Sequence, residues 1–198
     1  MNFLAHAHLS FNHPQILVGN MISDFVKGKK QYEYDAAIHK GIQLHRAIDN
    51  FTDTHVATQN IKLFFRPQYR LYSGAFTDVV YDHFLANDQS EFSTDDDLKK
   101  FTLATYQSLE TNVAVLPEAF KKMLPYMIEY NWLYNYKNKW GIEKSFNGLV
   151  KRSQYLTESA IAFAIFNTHY DTIKSQYEIF YPDLKKFAAH QLQQILNA

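Results

Sequence analysis

Apolar residues recur along this chain at three- and four-residue intervals, with almost no run that alternates convincingly enough for a strand. The period is helical. A first short helix is expected from about Phe3 to Ser10. A second begins at Pro14, whose fixed φ suits a first turn, and runs through Ile16, Val18, Met21, Ile22 and Phe25 to a stop at Gly28. A third spans about Tyr34 to Thr52, where Ile38, Gly41, Ile42, His45, Ile48, Asp49 and Thr52 recur at helical spacing. A fourth carries Val56, Ile61, Phe64 and Phe65 and is expected to end near Pro67, because proline removes a helix donor and crowds the preceding turn. A fifth runs from about Ser73 to Asn87. Thr94 followed by Asp97 reads as a capping box opening a helix to about Val113, and Pro117 opens another that continues through Trp132 and Tyr136. The last third reads as a helix from Gly141 to Gln154 and a long one from Thr157 onward, kinked or divided at Pro182. The expected fold is all-α, a single compact multi-helix domain over residues 1–198 with no repeat or linker to divide it.

Composition sharpens this picture. Six Gly and five Pro in 198 residues leave few places to turn, and 16 Phe, 14 Tyr and 2 Trp supply large surfaces for packing helices together. Twenty Lys plus Arg balance 20 Asp plus Glu, which argues against a generic nucleic-acid coat or a polybasic membrane binder. No nucleic-acid and no membrane partner is expected. The N-terminal run lacks the basic start and cleavage site of a signal peptide, so a cytoplasmic location is the default expectation. With no Cys, only oxygen and imidazole remain as donors for metal or acid–base chemistry.

Those donors are unevenly spread. Seven of nine His fall in the first hundred residues. A single His on an apolar helix face is usually a hydrogen-bonded core residue, so combinations carry the argument. His45 and Asp49 lie four positions apart, close enough on one helix face to share a cation; Asp78 and Asp82 repeat that spacing, with His83 next. Asp24 sits beside Phe25, shortly after Met21 and Ile22. Burying several carboxylates without partners is expensive, and an Asp–Arg network using Arg46, or a divalent cation, would relieve it. Mixed imidazole and carboxylate donors suit Mn²⁺, Mg²⁺, Fe²⁺ or Zn²⁺, and the excess of oxygen favours the harder ions.

MNFLAHAHLS at the N-terminus, GNMISDF at 19–25, GIQLHRAID with the following TD at 41–53, and TDVVYDHFL at 77–85 resemble the acyl carrier protein phosphodiesterases. The resemblance continues through Asn131, Trp132 and Leu133, Gly141 and Ile142, Asn147 to Leu149 with Arg152, and HYD at 169–171 leading to FYPDL at 180–184. It implies a divergent HD-domain-like phosphohydrolase, all-helical and metal-dependent, that removes the 4′-phosphopantetheine arm from holo acyl carrier protein. The positions it carries over are His6, Asp24, His45, Arg46, Asp49, Asp78, Asp82 and His83. The HD group's adjacent His-then-Asp pair is missing, and the nearest doublet is Asp82 then His83, in reversed order.

On that resemblance, Asp24, His45, Asp82 and His83 are the expected metal set and Mn²⁺ the expected ion, with Mg²⁺ or Fe²⁺ as alternatives. Asp49 and Asp78 would complete the coordination or orient ligands and water, Arg46 would bind the phosphate, and His6 is a further acid or ligand candidate. Carrier proteins of this kind are acidic, so a basic docking edge is expected. Between Asp53 and Asp78 there is no carboxylate, and Lys62, Arg66 and Arg70 recur at four-residue intervals, although Pro67 should keep all three from sharing one helix; Lys27, Lys29 and Lys30 form a second cluster. Two rival readings remain: an HD-type phosphohydrolase acting on a nucleotide or small phosphoester, and a non-enzymatic helical binding protein. The absence of a Gly-rich phosphate loop disfavours a P-loop nucleotide enzyme.

Overall fold

A computed structural model describes residues 1–197, and among these no strand is present. Eleven α-helices are joined by short turns: α1 Phe3–His8, α2 Pro14–Ile22, α3 Ala36–Thr54, α4 Val56–Tyr69, α5 Ser73–Ala86, α6 Asp95–Thr111, α7 Glu118–Glu129, α8 Trp132–Asn135, α9 Lys139–Arg152, α10 Ala160–Thr168 and α11 Tyr170–Asn197. One contiguous hydrophobic core runs from Met1 to Leu192, with Phe65, Phe76, Phe146 and Phe166 packed edge-to-face or stacked near its middle. No described helix is long and apolar enough to cross a membrane.

The helix boundaries follow local chemistry. The Thr94–Asp97 capping box forms as read from the sequence, with the Thr94 hydroxyl accepting from the Asp97 amide. Pro67 does not stop α4. The helix has only two more residues to run, so the missing donor falls in its last turn, and the stop comes at Arg70, which takes a φ of 47°. Pro182 likewise lies inside α11 without dividing it. Two expected continuous helices are broken elsewhere. Asn131 adopts a left-handed conformation (φ 44°, ψ 56°) and separates α7 from α8, while His169 separates α10 from α11. Asn is among the few residues that enter the left-handed region at low cost.

The crossing of α2 and α3 is the most extensive helix pairing in the molecule. It is possible because both helices carry glycine at the contact. A Cβ on Gly19 would lie 2.0 Å from the Ile38 carbonyl oxygen, and one on Gly41 would lie 2.3 Å from that of Ile16. Backbone therefore packs on backbone, and the residues just beyond the crossing, Asn20 on α2 and His45 one turn further along α3, are brought within hydrogen-bond reach.

Candidate metal centre

Beyond this crossing, α1, α2, α3 and a 3₁₀ turn at Ser23–Phe25 converge, each delivering a polar side chain to one point. The His45 Nδ1–H donates to the Asn20 carbonyl oxygen (2.7 Å), which turns Nε2 toward Asp24 Oδ1 and Asp49 Oδ2, both at 3.1 Å. From α1, His6 stacks on His45 with ring centroids 3.9 Å apart. The amide group of Asn20 donates to the His6 carbonyl oxygen (2.8 Å) and to Ser10 Oγ (3.1 Å), so its oxygen is left to accept from His6 Nδ1 at 2.8 Å. Asn20, fully buried, thus sets the tautomer of both imidazoles, once through its side chain and once through its backbone. The sequence reading missed it. The signal was present in the spacing, since Asn20 adjoins Gly19 and precedes Asp24 by four residues.

With Nδ1 donating, the free Nε2 lone pair of His6 faces Asp49 Oδ1 at 3.2 Å, and neither atom has a hydrogen-bond partner. Two buried acceptors pointing at each other repel unless a proton or a cation lies between them. A proton on His6 is disfavoured: burial, with the charge of His45 beside it, lowers its pKa to about 4. One ligand atom from each of His6, His45 and Asp49 lies within 4.8 Å of the others, a grouping able to hold a metal ion. The donor set, two imidazoles with tautomers fixed by outer hydrogen bonds plus carboxylate, fits a divalent cation.

The electrostatics of the cluster without metal are those of an ion pair. Burial opposes a charge on His45, but hydrogen bonds to Asp24 and Asp49 outweigh it and raise its pKa to about 9. Burial likewise opposes ionisation of Asp49, yet the hydrogen bond from His45 and the charge of the Met1 ammonium hold its carboxyl well below the ordinary range. The His45 hydrogen bond also lowers Asp24, whose side chain is 72% exposed and forms the open side of the cluster. Asp78 lies close by, accepting from the Met1 α-ammonium at 3.0 Å, which also stands 3.5 Å from Asp49 Oδ1. Burial raises the Asp78 pKa, partly offset by that ammonium.

The metal set expected from the sequence is therefore divided. Asp24 and His45 stand together with His6 and Asp49, whereas Asp82 and His83 are engaged elsewhere. The Asp82 carboxylate is fully buried and accepts the Leu4 and Ala5 amides (2.7 and 3.2 Å), capping the first turn of α1; burial raises its pKa to about 7 despite those bonds. His83 is bound at both nitrogens, donating from Nδ1 to the Tyr136 carbonyl oxygen (2.7 Å) and meeting the Tyr170 hydroxyl at Nε2 (2.9 Å), in a wall of aromatic rings. Burial lowers its pKa to about 4, leaving it neutral.

The basic residues also separate. Arg46, exposed on α3 next to His45, donates to the Gln31 side chain and more weakly to the Val26 carbonyl oxygen at 3.5 Å. Lys62 pairs with Asp53 at 2.7 Å and packs its stem beside Gly74, so its charge is already compensated. Arg66 and Arg70 are exposed, as is Lys27 in the turn after Phe25. Arg66 ends on α4 and Arg70 leaves it, because of the positive φ at Arg70 and not because of Pro67.

Residues 1–184 match the family model described as acyl carrier protein phosphodiesterase. The chain is 33% identical over 191 residues to an acyl carrier protein phosphodiesterase of Klebsiella pneumoniae (strain 342), a match covering 96% of this chain and 99% of that relative. It is 30% identical over 191 residues, with the same coverage, to a protein of that name from Escherichia coli O6:H1. No solved structure matches the chain.

Proposed function

The chain belongs to the acyl carrier protein phosphodiesterase family, and from that premise we propose that it hydrolyses the phosphodiester joining 4′-phosphopantetheine to the serine of holo acyl carrier protein. The products are apo carrier protein and 4′-phosphopantetheine. Water adds to phosphorus, the bond from phosphorus to the serine oxygen breaks, and that oxygen takes up a proton. The observation that carries the reading is the opposed pair of His6 Nε2 and Asp49 Oδ1, neither with a hydrogen-bond partner, which favours a cation between imidazole and carboxylate.

His6, His45 and Asp49 would hold a divalent ion, Mn²⁺ by preference over Mg²⁺ or Fe²⁺, with Asp24 at the open side; this set takes the place of one built on Asp82 and His83. Such an ion supplies Lewis acidity toward the phosphoryl oxygens and lowers the pKa of water near neutrality. The chain supplies the rest. Asn20 keeps both Nδ1 atoms protonated and both Nε2 atoms turned inward. The half-exposed Asp49 and exposed Asp24 face the side from which a substrate enters, where either carboxylate can orient water. Arg46 exchanges its solvent-exposed contacts at the 26–31 turn for the phosphate, which its planar fork clamps. Asp78 holds the α-ammonium against the back of the cluster. Arg66 and Arg70, with Lys27, steer the acidic carrier toward this side of the molecule. The rival nucleotide-directed and non-enzymatic readings draw no support from the family match.

Mass spectrometry of holo acyl carrier protein incubated with the protein and Mn²⁺ tests the reading: the carrier should lose the mass of its phosphopantetheine arm. A carrier of unchanged mass, under conditions where Mn²⁺ is bound, would overturn it.

A further inference from the structure

A cavity of about 570 Å³ opens between the start of α1, α8 and α9, in the size range of small-molecule sites. Its wall is graded. Buried Tyr136 and half-buried Phe3 and Trp132 form the interior, and exposed Trp140 stands at the entrance. Lys144, Lys151 and Arg152, all exposed, line the mouth along α9, and no carboxylate lines any part of it. This charge is uncompensated: Lys62, Lys99, Lys121, Lys137, Lys174 and Lys185 each hold a carboxylate, whereas none of the three α9 bases has an ion-pair partner among the described residues. Gly148 lies on the same face of α9 and leaves the wall open between them.

The cavity adjoins the metal cluster through the first residues of the chain. Asn2 and Phe3 line it, while the ammonium of Met1 meets Asp78 and Asp49; Val79 lines it, and Asp78 is its neighbour on α5. The Asn2 amide donates to the Tyr136 hydroxyl at 3.1 Å, so α1 is tied into the cavity wall. A phosphodiester at the cluster must place one of its two substituents in adjoining space. The pantetheine substituent is a long uncharged chain of methylene, dimethyl and amide groups. Aromatic walls with interspersed Asn135 and Ser145 match that chemistry, and a mouth of unpaired bases matches an acidic carrier standing outside.

We propose that this cavity receives the pantetheine arm of the carrier protein and that Lys144, Lys151 and Arg152 face the carrier's acidic surface at its mouth. The assignment rests on the activity proposed above. It adds a second docking region to exposed Arg66 on α4 and Arg70 just after it, and it gives work to Trp132, Gly148 and Arg152, which lie in segments that carried the family resemblance without contributing to the metal cluster.

The chain contains two tryptophans, and both line the cavity, so intrinsic emission reports occupancy without a label. Titration with free pantetheine should give a saturable change in emission, weakened roughly tenfold or more by Gly148→Leu, which fills the wall. Combined Lys144→Glu, Lys151→Glu and Arg152→Glu substitution should raise KM for holo carrier by roughly tenfold or more and flatten its salt dependence, with little effect on the uncharged pantetheine. Absence of a saturable emission change, or an unaltered KM in the charge-reversed protein, would overturn the assignment. Hydrolysis of holo carrier without any emission change refutes the cavity and leaves the activity standing. An emission change without hydrolysis does the reverse.

Discussion

Two places in this molecule pair histidine with aspartate on a helix otherwise facing the core, and they have opposite fates. On α3, His45 and Asp49 meet His6 and Asp24, and two of the gathered atoms are left facing each other without a hydrogen-bond partner. On α5, Asp82 and His83 are at least as deeply buried, yet each polar atom that the fold encloses has a protein partner. Residue type does not separate the two. What separates them is satisfaction: the α5 pair is complete as a structural element, whereas the α3 group keeps two buried atoms without a hydrogen-bond partner, which the proposed cation would supply.

Removing a donor from each group distinguishes them with the largest expected effect. His45→Ala and Asp49→Ala should each lower Mn²⁺ affinity and turnover by more than the roughly 10–100-fold typical of a lost outer partner, measured by metal titration and by release of the arm. The same loss in His83→Gln would erase the distinction.

The pH dependence of stability offers a second contrast, since burial lowers the pKa of both histidines and only at His45 do carboxylates reverse the shift. In metal-free protein, His45 has its pKa raised to about 9 from an ordinary 6.5, so the folded chain keeps a proton that the unfolded chain releases. That contribution is full below pH 6.5 and lost as pH rises to 9, on the order of 3 kcal/mol. His6, His8 and His83, lowered to about 4, act with the other sign and favour the fold as pH rises from 4 to 6.5. Denaturant midpoints of chelator-treated protein should therefore fall between pH 6.5 and 9, and bound Mn²⁺, by replacing the proton on His45, should flatten the fall.

Asn20→Ala separates positioning from coordination. It removes the acceptor that orients His6 but keeps the backbone carbonyl that orients His45, so Mn²⁺ affinity should drop by about 10–100-fold and not vanish. Asp82→Ala leaves the Leu4 and Ala5 amides without their acceptor and should cost about 1–3 kcal/mol of stability, read from thermal or denaturant unfolding. Arg66→Glu with Arg70→Glu carries the smallest expected effect, a rise of roughly a few-fold in KM for the carrier with a weaker salt dependence, because both side chains are solvent-exposed.

The sequence made the helices legible because their apolar faces are regular, and the capping box at Thr94 because its chemistry is local. The breaks at Asn131 and His169 were not legible: each depends on one residue's backbone conformation inside an apolar pattern that continues past it. Pro67 misled because α4 runs two residues past it and stops instead at the positive φ of Arg70. In the site, the four-residue spacing of His45 and Asp49 could be read directly, while the contribution of His6 required a second helix to be laid across the first. The order in which Asp82 and His83 appear gives no hint that one caps α1 and the other is sealed among Tyr136, Phe166 and Tyr170. Those roles are set by long-range packing, and only the partner of each polar atom reveals them.

On the proposed reading, a divalent cation is held by the group gathered at the glycine crossing. Titration of Mn²⁺ into metal-free wild-type, Asp49→Ala and His83→Gln proteins distinguishes that group from the α5 pair. Binding retained at full affinity in His83→Gln and lost in Asp49→Ala is the predicted result; binding retained in Asp49→Ala and lost in His83→Gln would contradict it.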